Sequence, residues 1–542
     1  MPLGILEDTK LENVPGTAPL NELGNNNAYA GIDPALLKHD ESGEIVLVPQ
    51  PSDSPNDPYN WPRWKKELFT ITFGWGCGCT GAVGPLLGAA FVPLAEQFGV
   101  SLNTFVSGVQ GGTIAAIAVG SLVFNCIAVK YGKRPVYLIT TIGMMVACFW
   151  GAAAKSFASL VASRVLIGLC MGPFEALVPA SIGDVWFVHE RGLRTAIFNL
   201  GVLGGINLAT PIAGQVIEYG DYQICLYGMG GAFALALIMV FFWMPETAYV
   251  RTDALSIDTG HDLTVLEGKA STKHLEAAVD ADAAATPTSA DEPRISYIRE
   301  LLPYSGYVNH ISFWNTLIRP VYLVASPAVV WAVILFTTCI SWLVLISLTI
   351  SQIFSAPPYS FSVGAVGATN VSSFVASLIG TLVAGPLVDG VARRLSKMNK
   401  GIFEPEFRLP IMITYLLFTA TGFFAWGASL SNLDPWPIPV IVCLGLINLG
   451  VQLGTTGVVT YVVDCHREKA SEAFATMNFV KNLFSFGLTF YVNGWIDTQG
   501  VRDVFYTIGG ITIGVTLLTV PMYVFGKRAR SWVHRHRIAE RL

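Results

Sequence analysis

Three charged residues, Arg164, Glu175 and Lys481, fall inside long apolar runs of this 542-residue chain. A charge set in hydrocarbon is costly and ordinarily faces a cavity or a partner charge. On a helix rising about 1.5 Å per residue, Glu175 lies roughly halfway through its run, and Lys481 lies near the middle of another. Their depth makes them candidate partners, with Arg164 as the other cation open to Glu175. Desolvation favours the neutral form of a carboxyl and an adjacent cation favours its charged form, an opposition suited to a proton switch. The same residues would also serve as a permanent ion pair that sets packing. All eight histidines lie outside the apolar runs, so a buried histidine relay is not expected, and Glu175 is the carboxylate deep enough to carry a proton.

Polar amides extend this set. Asn478, Lys481, Asn482 and Ser485 recur at helical spacing, as do Asn448 and Gln452, so each group shares one helix face. Gln110 and Asn207 add single amides, and each amide reads as a substrate contact or as interhelical glue worth about 1 kcal/mol. Phe174 stands beside Glu175. A ring with an acid would suit an organic cation, whereas a cavity centred on Lys481 would suit an organic anion. The nine cysteines sit mainly in apolar runs without metal-ligand or disulfide spacing. No nucleophile set, metal cluster or nucleotide-binding loop occurs, so neither an enzyme nor a cofactor is expected.

The elements that must hold these residues are membrane spans. Of the residues, 52% are hydrophobic and 13% charged, about half the usual charged fraction. A spanning helix needs about 20 mainly apolar residues. Such runs fall near 68–92, 105–127, 136–154, 158–180, 195–217 and 224–244, then near 327–350, 363–386, 409–429, 437–460, 473–495 and 504–526. The expectation is an all-α integral membrane protein with twelve spans in two pseudo-symmetric six-helix bundles. Residues 1–66 read as a disordered tail without a cleavable signal, 67–245 as the first bundle, and 246–326 as a linker disordered over 253–293 with interfacial helices over 295–317. Residues 327–526 form the second bundle and 527–542 a basic tail. Placing both termini in the cytoplasm puts 29 of the 33 Lys and Arg residues on that side. The net charge of -5 comes from the tail and linker, and nucleic-acid binding has no support.

The halves repeat one another. A basic turn with Gly132, Lys133 and Arg134 follows span 2, and Gly385 to Arg394 follow span 8; span 4 ends at Asp184 before Arg191, and span 10 ends at Asp464. Duplication of this kind builds many secondary transporters. The segment Gly385, Leu387, Asp389, Arg393, Arg394 resembles the loop signature of the major facilitator superfamily, with Val129 replacing the acid in the first half. Arg164 with Gly168 looks like that family's fourth-helix arginine motif. Span 5, with Gly201, Gly204, Gly205, Pro211 and Gly214, is similar to its antiporter motif, although Thr210 and Ala213 replace two glycines. The stretch Asp57 to Lys66, the residues Gly183, Asp184 and His189 to Gly192, and Pro245, Glu246, Thr247 resemble fungal twelve-span drug:proton antiporters.

That resemblance implies gradient-driven transport of a small organic molecule across the plasma membrane, and it places Trp331 of span 7 near the cavity. Asp184, Arg191, Gly132, Lys133, Arg134, Asp389, Arg393, Arg394 and Asp464 would form a cytoplasmic gate. Gly204, Gly205 and Pro211 read as a bend between the halves or as simple packing. The leading expectation is a monomeric proton-linked exporter working by alternating access, with the lipid bilayer and a small-molecule substrate as partners. Proton-coupled uptake of a polyamine-like cation is the alternative within transport, and a transporter-like receptor the alternative outside it.

Overall fold

Hydrocarbon offers backbone amides no partners, so the chain crosses it as helices that satisfy themselves. The computed structural model describes residues 54–249, 294–304, 324–400, 402–465 and 470–536, with 3–8, 14, 17–19, 38, 47, 51–52, 306, 313–314 and 316–318. Among these, eleven helical segments are long and apolar enough to span a membrane. Spans 1 to 6 are Arg63–Gln97, Leu102–Tyr131, Lys133–Ala152, Phe157–Val185, Ile197–Tyr219 and Tyr222–Trp243. Spans 7 to 10 are Pro327–Ser355, Val363–Met398, Pro405–Ser431 and Ile438–Cys465, and span 12 lies within Val492–Arg535. The place of span 11 is taken by the helix Ala470–Leu488, less apolar because it carries Glu472, Asn478, Lys481 and Asn482.

Departures from a regular helix follow the sequence. The first helix of span 1 stops at Val83 because Gly84 and Pro85 follow, and a turn at Gly88–Ala90 leads to Phe91–Gln97. Span 2 winds through a π-turn at Ser107–Gly111. Gly500, at φ 81, separates a short helix from the long one that forms span 12.

The pairing of spans displays the duplication. Spans 1 and 5, 2 and 4, and 3 and 6 pack together in the first half, as do 7 and 11, 8 and 10, and 9 and 12 in the second. Span 5 against span 8 and span 2 against span 11 join the halves. Small residues permit this closeness. A Cβ on Gly205 would overlap the carbonyl oxygen of Gly78, so Gly205 lies between spans 1 and 5 of one half, whereas Gly204 faces Phe374 of span 8 across the seam. Gly205 therefore reads as packing within the first half, while Gly204 stays at the seam. Pro211 sits within an unbroken helix, Val188–Tyr219, at the seam itself, where a Cβ on Gly367 would come 3.3 Å from its Cα.

The tail also departs from expectation, because its described residues are docked. Ile5 is fully buried with Ala392, Phe403 and Phe407 of the second half. The Leu6 amide donates to the Val524 carbonyl at 3.0 Å, and Ala18–Pro19 pairs antiparallel with Ile402–Phe403. Farther along, Tyr59 stacks on Phe187 at 4.9 Å and its hydroxyl donates to the Gly183 carbonyl at 2.6 Å, which fastens the approach to span 1 onto the first half. The linker re-emerges as a helical turn at Tyr297–Glu300, tied to span 1 by Glu300 and Lys65 at 2.7 Å. The disorder expected over 253–293 lies outside the described residues.

Gly205→Val should therefore cost about 1–3 kcal/mol of stability through overpacking. Reduced monodisperse yield and a lowered melting temperature on size-exclusion and thermal assays would register it, whereas unchanged behaviour would contradict the tight 1–5 contact.

Candidate functional site

Glu175 and Lys481 meet, Oε2 to Nζ at 3.5 Å, across the two halves of the molecule. Span 4 supplies the acid from a helix that contains Pro173 and Pro179. Pro179 stands four residues after Glu175 and has no amide hydrogen, so the Glu175 carbonyl is left without its helical donor. Span 11 supplies the cation from its polar face. Ser485 on that face shares a 2.8 Å hydrogen bond with Ser341 of span 7, and Asn482 is buried with an amide nitrogen that no described group accepts from. Asn478 is half-buried beside them. The Glu175 side chain is 29% exposed and that of Lys481 11%, so the acid faces an open space and the cation lies behind it.

Several sequence candidates sit elsewhere. Arg164 is fully buried and donates from Nη1 to the Val83 carbonyl at 2.8 Å and from Nη2 to the Gly84 carbonyl at 2.6 Å. These carbonyls end the first helix of span 1 and lack intrahelical donors. The guanidinium closes that break and is not the partner of Glu175. Phe174 points into the core of the first half, edge-on to Tyr137 at 5.4 Å, and Trp331 is buried edge-on to Tyr461 at 5.1 Å. Asn448 donates to Ser373 of span 8 at 3.1 Å and to its own helix at Leu444, so it acts as glue. Asn207 bonds the Leu203 carbonyl of its own helix, and the stem of Gln452 packs on Gly380. Gln110 lies in the π-turn of span 2, where its carbonyl oxygen is buried and unpartnered among the described residues.

The gate residues form one latch in each half, on the face where the described ends of the chain lie. In the first half Lys133 pairs with Asp184 at 2.6 Å. Gly132 turns the chain at φ 94, and the Lys133 and Arg134 amides then donate to Glu246 at 2.9 and 3.0 Å. A Cβ on Gly132 would overlap that carboxylate. Arg134 is buried and donates to the carbonyls of Phe241, Met244, Leu301 and Leu302. Glu246 thus closes the turn whose acid position is occupied by Val129.

In the second half Arg408 bonds Asp464 and Asp389, the latter at 2.7 Å. This corrects the expectation for Arg393 and Arg394, which are exposed because their helix continues to Met398. The side chain of Arg191 lies outside the described residues. Arg408 was missed, although a base beginning span 9 matches Lys133 beginning span 3, and the internal repeat carried that signal.

Between the halves, hydrogen bonds close the face away from the termini. Ser351 Oγ donates to the Ala89 carbonyl at 3.1 Å, and Glu218 accepts from Ser362 and the Gly364 amide at 2.8 and 2.7 Å. The described ion pairs on the terminal face stay within one half or tie the linker to the first half, and none of them joins the two halves.

Two helical bundles repeated in sequence and packing, around a midplane charge pair, define a membrane transport protein. The chain belongs to the Major Facilitator Superfamily, whose family profile matches residues 68–489. It is 26% identical to protein HOL1 of Saccharomyces cerevisiae, over 96% of each chain. It is 25% identical to the efflux pump radE of Floropilus chiversii, over 95% of this chain and 89% of that one. The fold is similar to a partially occluded inward open conformation of the xylose transporter XylE from E. coli, with a TM-score of 0.58 and 13% identity over 84% of this chain and 97% of that one.

Breaking a largely buried pair leaves an uncompensated charge and costs about 3–5 kcal/mol. Arg408→Ala should lower the melting temperature by several degrees while Arg394→Ala leaves it unchanged; equal effects from both would overturn the assignment of Arg408 as the latch cation.

Proposed function

We propose that this protein is a proton-coupled secondary transporter that exports a small organic molecule by alternating access, with Glu175 as the proton carrier and Lys481 as its counter-charge. The observation that carries the reading is the 3.5 Å contact between Glu175 and Lys481, because it joins the two halves at midplane depth and leaves the acid partly exposed. An ionised Glu175 is held by Lys481. Once protonated it loses most of that attraction, so Lys481 is freed and the halves lose a tie that must be broken in each cycle. A substrate bearing either charge could compete for one member of the pair, which links its binding to the proton. The latches on the terminal face, at Lys133 with Asp184 and at Arg408 with Asp389 and Asp464, would keep each half rigid while the seam opens.

Similarity to radE, named an efflux pump, supports export. The Lys and Arg distribution supports a cytoplasmic terminal face, and the resemblance supports placing a monomer in the plasma membrane. The conformation closed on the opposite face would then be the one that loads cargo from the cytoplasm.

The test is pH-gradient-driven flux in proteoliposomes, with organic cations, anions and neutral amphiphiles screened on wild type and Glu175→Gln. Wild type should accumulate a substrate against its gradient. The variant should retain downhill exchange but fall to the accumulation seen with a protonophore. Normal coupling in the variant would remove Glu175 from the proton path, and absence of flux for the whole panel would favour the receptor reading.

A further inference from the structure

Two cavities meet on the membrane-facing side of the first half, beneath the returning linker. One, of about 590 Å³, runs between spans 3 and 6 with an almost wholly apolar lining that includes Leu138, Ile142 and Ile238. The other, of about 440 Å³, lies at the ends of spans 1 and 6 and is bordered by Lys65, Arg134 and Arg294 against Glu300. Phe242 lines both, so an apolar trough continues into a basic pocket. Ile142 and Ile238 are 43% and 55% exposed at the trough, where the surrounding medium is the bilayer. The linker turn that roofs the pocket also exposes Ile298 and Leu302, the side chains of a segment resting at the membrane interface.

Among the described residues that line the pocket there are three cations and one carboxylate, with Glu246 within electrostatic reach of Arg134 beside it. Lys65 is engaged by Glu300 and Arg134 by four carbonyls, whereas Arg294 is exposed and has no described partner. A basic pocket between spans that opens onto hydrocarbon is matched by a ligand with a phosphate at one end and an acyl chain at the other. We infer that these cavities together bind one anionic glycerophospholipid of the leaflet on the terminal face, its phosphate against Arg294 and Lys65 and one acyl chain along spans 3 and 6. Zwitterionic lipid fits the trough equally but answers the excess positive charge less well. The linker carbonyls of Leu301 and Leu302 that receive Arg134 form part of the same roof, so the bound lipid would stiffen the turn at Gly132 and Lys133 from outside.

The test uses the full-length protein, delipidated in a neutral detergent, with phosphatidylglycerol, phosphatidylcholine or inorganic phosphate added. Apparent melting temperature and native mass spectrometry are the readouts. Phosphatidylglycerol should raise the melting temperature of wild type by about 3 °C more than phosphatidylcholine, with one lipid retained in the spectrum. Arg294→Glu, at an exposed position, should abolish that difference. Ile238→Trp, which fills the trough from its exposed rim, should lose the response to both lipids. Equal stabilisation by the two lipids, full selectivity in Arg294→Glu, or reproduction of the effect by inorganic phosphate alone would each overturn the site. No retained lipid on wild type would do the same, whatever the variants show.

Discussion

Inside a bilayer a polar group has only the protein for a partner, and the placement of the charges deep in the spans follows from that scarcity. Arg164 finds the two carbonyls left bare where Gly84 and Pro85 break span 1. Threonines along the spans turn their hydroxyls back onto their own helices, as Thr80 does to Gly76 and Thr512 to Ile508. Glu175 and Lys481 find each other, and that solution differs in kind, because the partners belong to different halves. A group satisfied within its own half is unaffected when the halves move. One satisfied across the seam must be released, and the partial exposure of Glu175 is what makes release to water or a proton affordable.

The same logic separates rigid from mobile contacts. On the terminal face none of the described ion pairs joins the two halves, with Lys133 and Arg408 at equivalent starts of spans 3 and 9 and Asp184 and Asp464 at equivalent ends of spans 4 and 10. On the opposite face, contacts between the halves rest on hydroxyls, backbone groups and glycines, as where Glu218 meets Ser362 and where Gly367 lies under Thr210 and Pro211. Uncharged or single-charge contacts exchange with water at smaller cost than buried pairs. Apart from the Glu175 and Lys481 pair, ion pairs thus tie the described bodies internally and weaker contacts line the seam on the opposite face.

Much of this was legible in the residues. Apolar run length located the spans because hydrocarbon thickness fixes how many residues must be apolar, and depth along two runs brought Glu175 and Lys481 together before any coordinates. What escaped was direction. Phe174 is adjacent to Glu175 in sequence, yet on a helix adjacent residues face about 100° apart, so it points into the core with Tyr137. Arg164 was ambiguous because backbone carbonyls are partners that no residue type announces. Arg393 and Arg394 stood in the expected sequence window, but continuation of their helix to Met398 turned them to solvent and left Arg408 to meet both acids. The polar tail carried little hydrophobic signal; Ile5 with Leu3 fills a socket built by Phe403 and Phe407, and backbone hydrogen bonds that no residue type announces complete the seat.

That seated tail matters to anyone who handles the protein. With Leu3 to Asp8 packed against span 12 through the Leu6 amide, the Tyr523 hydroxyl and Ser531, a fluorescent protein or affinity handle fused directly ahead of Leu3 would press a folded body against the C-terminal bundle. The same handle after the basic helix Thr519–Arg535 would start four residues past Ser531, which holds Asp8, and would leave the residues ahead of Leu3 unburdened. Choice of fusion end is therefore a structural variable for this chain, and results gathered with the two orientations need not describe the same molecule.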